Sequence, residues 1–216
     1  MTRTYGDRCG IARALDLVGE RWALLVVREL LLGPKRFTDL RAGLPHLSPD
    51  VLSQRLRELE QAGVVRRRTL APPAAARVYE LTEWGSELEP AVLALGRWGS
   101  RAPFPASGEA FGVDSAMLAL KTMFSPSRAD GLDACVELGL GELRFRAHVS
   151  AGTLDLSRGS ATAPAAVIDT DPRTLAAVLW HGRPLADALR SGELELRGSK
   201  EAAQRFLGLF RLPDQP

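Results

Sequence analysis

The chain has 216 residues, long for one compact domain and comfortable for two of roughly 100 residues each. Hydrophobic residues at 45% and charged residues at 25% are an ordinary globular composition, which excludes a disordered chain. The net charge of +2 hides an asymmetry: residues 1–103 carry 16 Lys and Arg against 12 Asp and Glu, and residues 104–216 carry 12 against 14, so the first half is the candidate for a polyanionic partner.

No apolar run approaches the roughly 20 residues of a spanning helix, and MTRTYGDRCG lacks the apolar core of a signal peptide, so a soluble cytoplasmic protein without membrane contact is expected. Cys9 and Cys135 are too few for a disulfide framework and have no metal-ligand spacing, so neither metal nor cofactor is expected.

In chain order, CGIARALDLVG spaces Ile11, Ala14, Leu15 and Val18 as one helical stripe, with Gly19 able to end it. ERWALLVVRELLLG predicts a second helix, apolar nearly all round, stopped by Gly33-Pro34. A third helix is predicted from Arg36 to about Gly43. A fourth is predicted from the cap Ser48, with Pro49 at its first position, to Ala62, with Gly63 as the stop. Val64 to Leu70 and Arg77 to Leu81 read as strands around the wing-sized loop APPAAA. Thr82 is predicted to cap a long helix to about Ser100, with Leu88, Val92, Leu95 and Trp98 on one face. RAPFPASGEAFG reads as a linker, giving domains at 1–103 and 114–216 joined by 104–113. The second half opens with the helix DSAMLALKTMF. It continues through the strands LDACVELGL, ELRFRAHV, GTLDLSRG and AAVIDT, a helix from Asp171-Pro172, the helix PLADALRSG, the strand ELELRG and the closing helix SKEAAQRFLGLF. The fold class expected is α+β: a winged helix-turn-helix, then an antiparallel sheet backed by helices.

In the fourth helix Leu52, Leu56 and Leu59 fall on one stripe, so Asp50, Gln54, Arg57 and Gln61, flanked by Ser53, occupy the opposite face. These side chains are donors and acceptors suited to base edges in a major groove: Arg57 can donate twice to guanine and Gln54 can pair with adenine. A merely solvated polar face is the plain alternative, which the neighbouring turn and wing argue against. Arg66, Arg67, Arg68 and the facing Arg77 crowd cations on a hairpin, where like charges repel unless something such as phosphate neutralises them. Lys35, Arg36 and the cap Ser48 lie where a phosphate would dock at helix starts.

Residues 8–100 resemble an HxlR-type winged-helix regulator, through CGIARALDLVGERWALLVVRELLLGPKRFTDLRAGLPHLSPDVLSQRLRELEQAGVVRRR and RVYELTEWGSEL. The resemblance implies a homodimer that sets two recognition helices in successive major grooves of double-stranded operator DNA, with half-sites about 10 bp apart. It also sets Cys9 where several such regulators carry a redox-responsive thiol. Gly10 follows here instead of the usual Pro, and an inert half-buried thiol is the alternative. Residues 114–212 resemble a sterol carrier protein type 2 domain through AAVIDTDPRTLAAVLWHGRPLADALRSGELELRGSKEAAQRFLGLF. That implies an apolar tunnel for a hydrophobic small molecule, with Trp180, Phe206 and Phe210 as its candidate lining or, equally, as core.

His46, His148 and His181 are scattered, and no catalytic motif is present, so no enzyme is expected. The expectation is a dimeric repressor of transcription released by a hydrophobic ligand in the second domain. A thiol-switch regulator acting through Cys9 and a lipid-binding carrier are the alternatives.

Overall fold

Residues 4–72, 75–102 and 112–213 are described by a computed structural model, in which the chain divides into two units, Met1–Val92 and Leu93–Pro216. Residues 104–111 of the expected linker and 73–74 of the expected wing loop lie outside the described residues.

The first unit runs α1 (Gly10–Val18), α2 (Ala23–Leu30), α3 (Phe37–Gly43), α4 (Pro49–Gln61), β1 (Val65–Thr69), β2 (Arg77–Leu81) and α5 (Glu83–Ser86), and α6 (Glu89–Gly99) begins in it. The caps of α4 are those expected: the Ser48 hydroxyl accepts from the Val51 N–H, Pro49 opens the helix, and Gly63 takes the left-handed φ of 75° that lets the chain leave it. Val26, Val27, Leu30, Leu40, Leu52, Leu56 and Leu59 form a continuous core, each buried side chain worth about 1.5–3 kcal/mol.

Two predicted helices are corrected. The second starts at Ala23 rather than Glu20, because Trp22 sits at a φ of 80° and breaks the helical path. Its side chain packs against the core, which holds that conformation in place. The single helix from Thr82 to Ser100 is two, α5 and α6. Thr82 does cap the first, accepting from the Gly85 N–H at 2.9 Å. Pro90, however, has no N–H to give to the Ser86 carbonyl, and its ring crowds that carbonyl.

The second unit continues with α7 (Val113–Met123), β3 (Ala134–Leu140), β4 (Leu143–Ser150), β5 (Thr153–Arg158), β6 (Ala166–Thr170), α8 (Pro172–Trp180), α9 (Leu185–Arg190), β7 (Glu195–Gly198) and α10 (Lys200–Leu207). The sheet order is β5-β4-β3-β6-β7, and here too the expectation changes. β3, β4 and β5 form an antiparallel meander, but β6 lies parallel to β3, so the sheet is mixed rather than antiparallel. After β5 the chain crosses to the far side of β3, where Ala165 donates to the Cys135 carbonyl before β6 begins.

Alternation assigns Val136, Leu138, Phe145, Ala147, Val149, Leu156, Ala166 and Ile168 to one buried face, and α7 and α10 pack on these strands. The other face is polar. Arg144 pairs with Asp169 at 2.9 Å, Arg197 with Asp169 at 2.7 Å, Arg146 with Asp155 at 2.5 Å, and His148 with Asp133 at 3.1 Å. Asp171 caps α8, accepting from the Arg173 and Thr174 N–H groups.

Candidate nucleic-acid interface

The buried stripe of α4 is as expected, Leu52, Leu56 and Leu59, and it fixes what the opposite face presents. Asp50, Gln54, Arg57 and Gln61 are exposed, with Ser53 half-buried at the flank. Gln54 donates to Glu58 at 3.0 Å, one turn on, so its amide is held along the helix axis. Among the described residues Arg57 has no charged partner, which leaves its guanidinium available to a ligand. Arg55, one residue earlier, turns inward instead: it is buried and pairs with Glu58 at 2.7 Å and Glu20 at 3.4 Å.

The arginine run on the hairpin separates into two faces. The register Arg66↔Glu80, Arg67↔Tyr79 and Thr69↔Arg77 sets Arg67 and Arg77 on one face and Arg66 and Arg68 on the other. The expected repulsion is met from within the protein. The Glu80 carboxylate accepts from Arg66 Nε at 2.8 Å and pairs with Arg68 at 2.9 Å, and Arg67 pairs with Glu60 at 3.1 Å. All three guanidinium groups remain at least half exposed, so they are accessible although partly neutralised. Phosphate is therefore not needed to explain the run.

Lys35 departs furthest from its expected place. It is buried, its Nζ is 2.5 Å from the buried Glu29 carboxylate, and its backbone N–H and C=O both bond to Tyr79 in β2. An ammonium so enclosed cannot reach a phosphate; it ties the wing strand to the helices. Arg36 is exposed, but its N–H donates to Asp39 at 3.1 Å, so a carboxylate of the chain itself already sits at the start of α3. Ser48 is exposed and occupied as the cap of α4.

The residues that sequence reasoning overlooked are Glu29, Glu80 and Tyr79. Glu80 was detectable: pairing the two predicted strands across the loop sets it opposite Arg66. Glu29 was not, since nothing in the spacing of residues 29 and 35 shows that Gly33-Pro34 folds Lys35 back onto it.

Cys9 is exposed at the start of α1, where the amides of Ile11 and then Ala12 hold its thiol below the ordinary value. Cys135 lies in β3 and is raised instead, chiefly by burial. In the second unit Phe206 and Phe210 are buried against each other, ring centroids 5.0 Å apart and nearly perpendicular, with Phe124 6.2 Å from Phe210. The pair is edge-to-face aromatic packing inside the unit. Trp180, at the end of α8, is half-buried.

A model of HxlR-like helix-turn-helix proteins matches residues 17–105. YvaP of Bacillus subtilis (strain 168), described as an uncharacterized HTH-type transcriptional regulator, is 41% identical over 86 residues, which are 40% of this chain and 80% of YvaP. The HTH-type transcriptional regulator YodB of the same organism is 36% identical over 85 residues, 39% of this chain and 76% of YodB. Among solved structures, that of the redox regulator HypR in its oxidized form is similar over 45% of this chain and all of HypR, at 33% identity and a TM-score of 0.42.

Proposed function

The chain belongs to the HxlR-like helix-turn-helix family of transcriptional regulators, and from that premise we propose that it is a dimeric, ligand-responsive repressor. The observation that carries the reading is the exposed set Asp50, Ser53, Gln54 and Arg57, presented by a helix whose other side is anchored in the core. Arg57 donates to a guanine edge, Gln54 to its neighbour, and the exposed arginines of the hairpin hold the backbone. Exposed Ile11 and Leu15 on α1, and Leu95 and Trp98 on α6, are apolar side chains that a second copy would cover.

Arg57→Ala is expected to weaken binding to the cognate operator by about 1–3 kcal/mol, read by fluorescence anisotropy against a scrambled duplex. Unchanged affinity would overturn the assignment of Arg57. Sedimentation of the full chain as a monomer, with and without operator, would overturn the dimer.

The second unit is the proposed input, taking a hydrophobic small molecule between the apolar face of its sheet and the covering helices. The resemblance of residues 114–212 to a sterol carrier protein type 2 domain supports this, and so does a sheet whose apolar face is covered by helices while the other face carries ion pairs. Such a ligand acts only by binding the operator-free dimer better than the operator-bound one. Native mass spectrometry of protein from its source tests it: a co-purifying apolar molecule supports the input role, and its absence opposes it.

A second reading is favoured by Cys9, exposed and with its thiol lowered at the start of α1. Alkylation of Cys9 is expected to rise with pH through a midpoint below the ordinary thiol value of about 8.5. If oxidation changes operator affinity in the wild type and not in Cys9→Ser, the thiol is the switch; equal responses exclude it.

A further inference from the structure

The wing hairpin carries a concavity that phosphate binding leaves unexplained. Arg67, Thr69, Arg77 and Tyr79 share one face by register, and the Lys35–Tyr79 bridge brings Phe37, the first residue of α3, to the same place. With Arg68 and Val78 they line a groove of about 410 Å³, within the range of about 300–1,000 Å³ usual for small-molecule sites.

Its composition divides by position. Phe37 and Tyr79 supply its aromatic side chains, Val78 and Arg68 turning to the opposite face of the hairpin, and the Arg67 guanidinium lies over the Tyr79 ring, 5.4 Å from its centroid. Arg67 and Arg68 are held by Glu60 and Glu80, whereas Arg77, exposed on the rim, has no carboxylate partner among the described residues. A DNA phosphate would satisfy Arg77 but would gain nothing from an aromatic floor. An anion attached to a planar ring would use both.

We propose that this groove binds a small aromatic carboxylate, its carboxylate paired with Arg77 and its ring set against Phe37 and Tyr79. The occupied groove takes Arg67 and Arg77 away from operator, so ligand and DNA compete. The site lies in the first unit and does not depend on the second unit binding anything.

The test uses the full chain and 1-naphthoate as probe, with inorganic sulfate as the ring-free control, by titration calorimetry. The expected result is naphthoate binding with a dissociation constant below about 1 mM, weakened about tenfold or more in Arg77→Gln and in Phe37→Leu, and no comparable binding of sulfate. Naphthoate should also release operator DNA from the wild type and fail to do so from Phe37→Leu. No binding up to about 10 mM, equal binding of sulfate, or full binding by Arg77→Gln overturns the proposal. Naphthoate bound without loss of operator overturns the competition. Naphthoate binding lost in Arg77→Gln upholds the groove even for a chain that retains no promoter DNA, so the two readings fail separately.

Discussion

Glu29→Ala is expected to lower the stability of the first unit by about 3–5 kcal/mol, the usual cost of removing one partner of a buried ion pair. Glu29 is 1% exposed and Lys35 6%, with 2.5 Å between Oε2 and Nζ, and Arg28 adds a second contact to Glu29 at 2.8 Å. Truncation removes the buried carboxylate that both Lys35 and Arg28 contact. Gly43 has no side chain for the same reason that Glu29 is needed: a Cβ there would occupy the position of the carboxylate. Urea unfolding followed by tryptophan fluorescence reads the loss. A pairing of Glu29→Leu with Lys35→Met, which removes both charges, should recover most of it. A Glu29→Ala chain within about 1 kcal/mol of wild type would show that the pair contributes little. Because the Lys35 backbone bonds to Tyr79, the same substitution should also loosen the wing against α3.

Phe206→Ala is expected to cost the second unit about 3–5 kcal/mol, the range for deleting a buried phenyl ring and leaving a cavity. Phe206 is 1% exposed and meets Phe210 edge-on, while Phe124 and Phe210 are joined by a backbone bridge, so the deletion undermines a cluster that joins the end of α7 to the segment after α10. A wall of an open tunnel behaves differently: its truncation leaves stability nearly unchanged and enlarges the site. Thermal unfolding of the full chain separates the two. Unchanged stability together with altered uptake of an apolar probe would restore Phe206 to the lining.

Much of the first unit was legible because its signals are local. Ser48, Pro49 and Gly63 mark α4 by chemistry that acts within one turn, and the Leu52, Leu56 and Leu59 spacing decides which face is left exposed. The break at Pro90 was equally local and was masked by the apolar periodicity of Leu88, Val92, Leu95 and Trp98 running through it. What sequence could not show depends on how distant segments return. The direction of β6 beside β3 is set by a crossover, not by the alternation of Val167 and Ile168. Phe206 and Phe210 have the same residue type whether they fill a core or line a cavity, and their contact with each other depends on how α10 and the segment after it fold together. The arginine triplet reads as one clamp along the chain, yet the pleat sends its middle member to the opposite face.

That division also bears on how the protein responds to ionic strength. A cation that engages DNA displaces mobile ions from the duplex, and log affinity falls with log salt by about 0.9 for each phosphate neutralised. Glu80 and Glu60 act as fixed counterions, already seated on Arg66, Arg68 and Arg67. If the hairpin engages DNA, each carboxylate that stays beside these arginines cancels part of the charge they bring to the duplex, which lowers the salt slope. Glu80 is shared by Arg66 and Arg68, so the hairpin's four arginines carry two carboxylates and should count for about two phosphates rather than four.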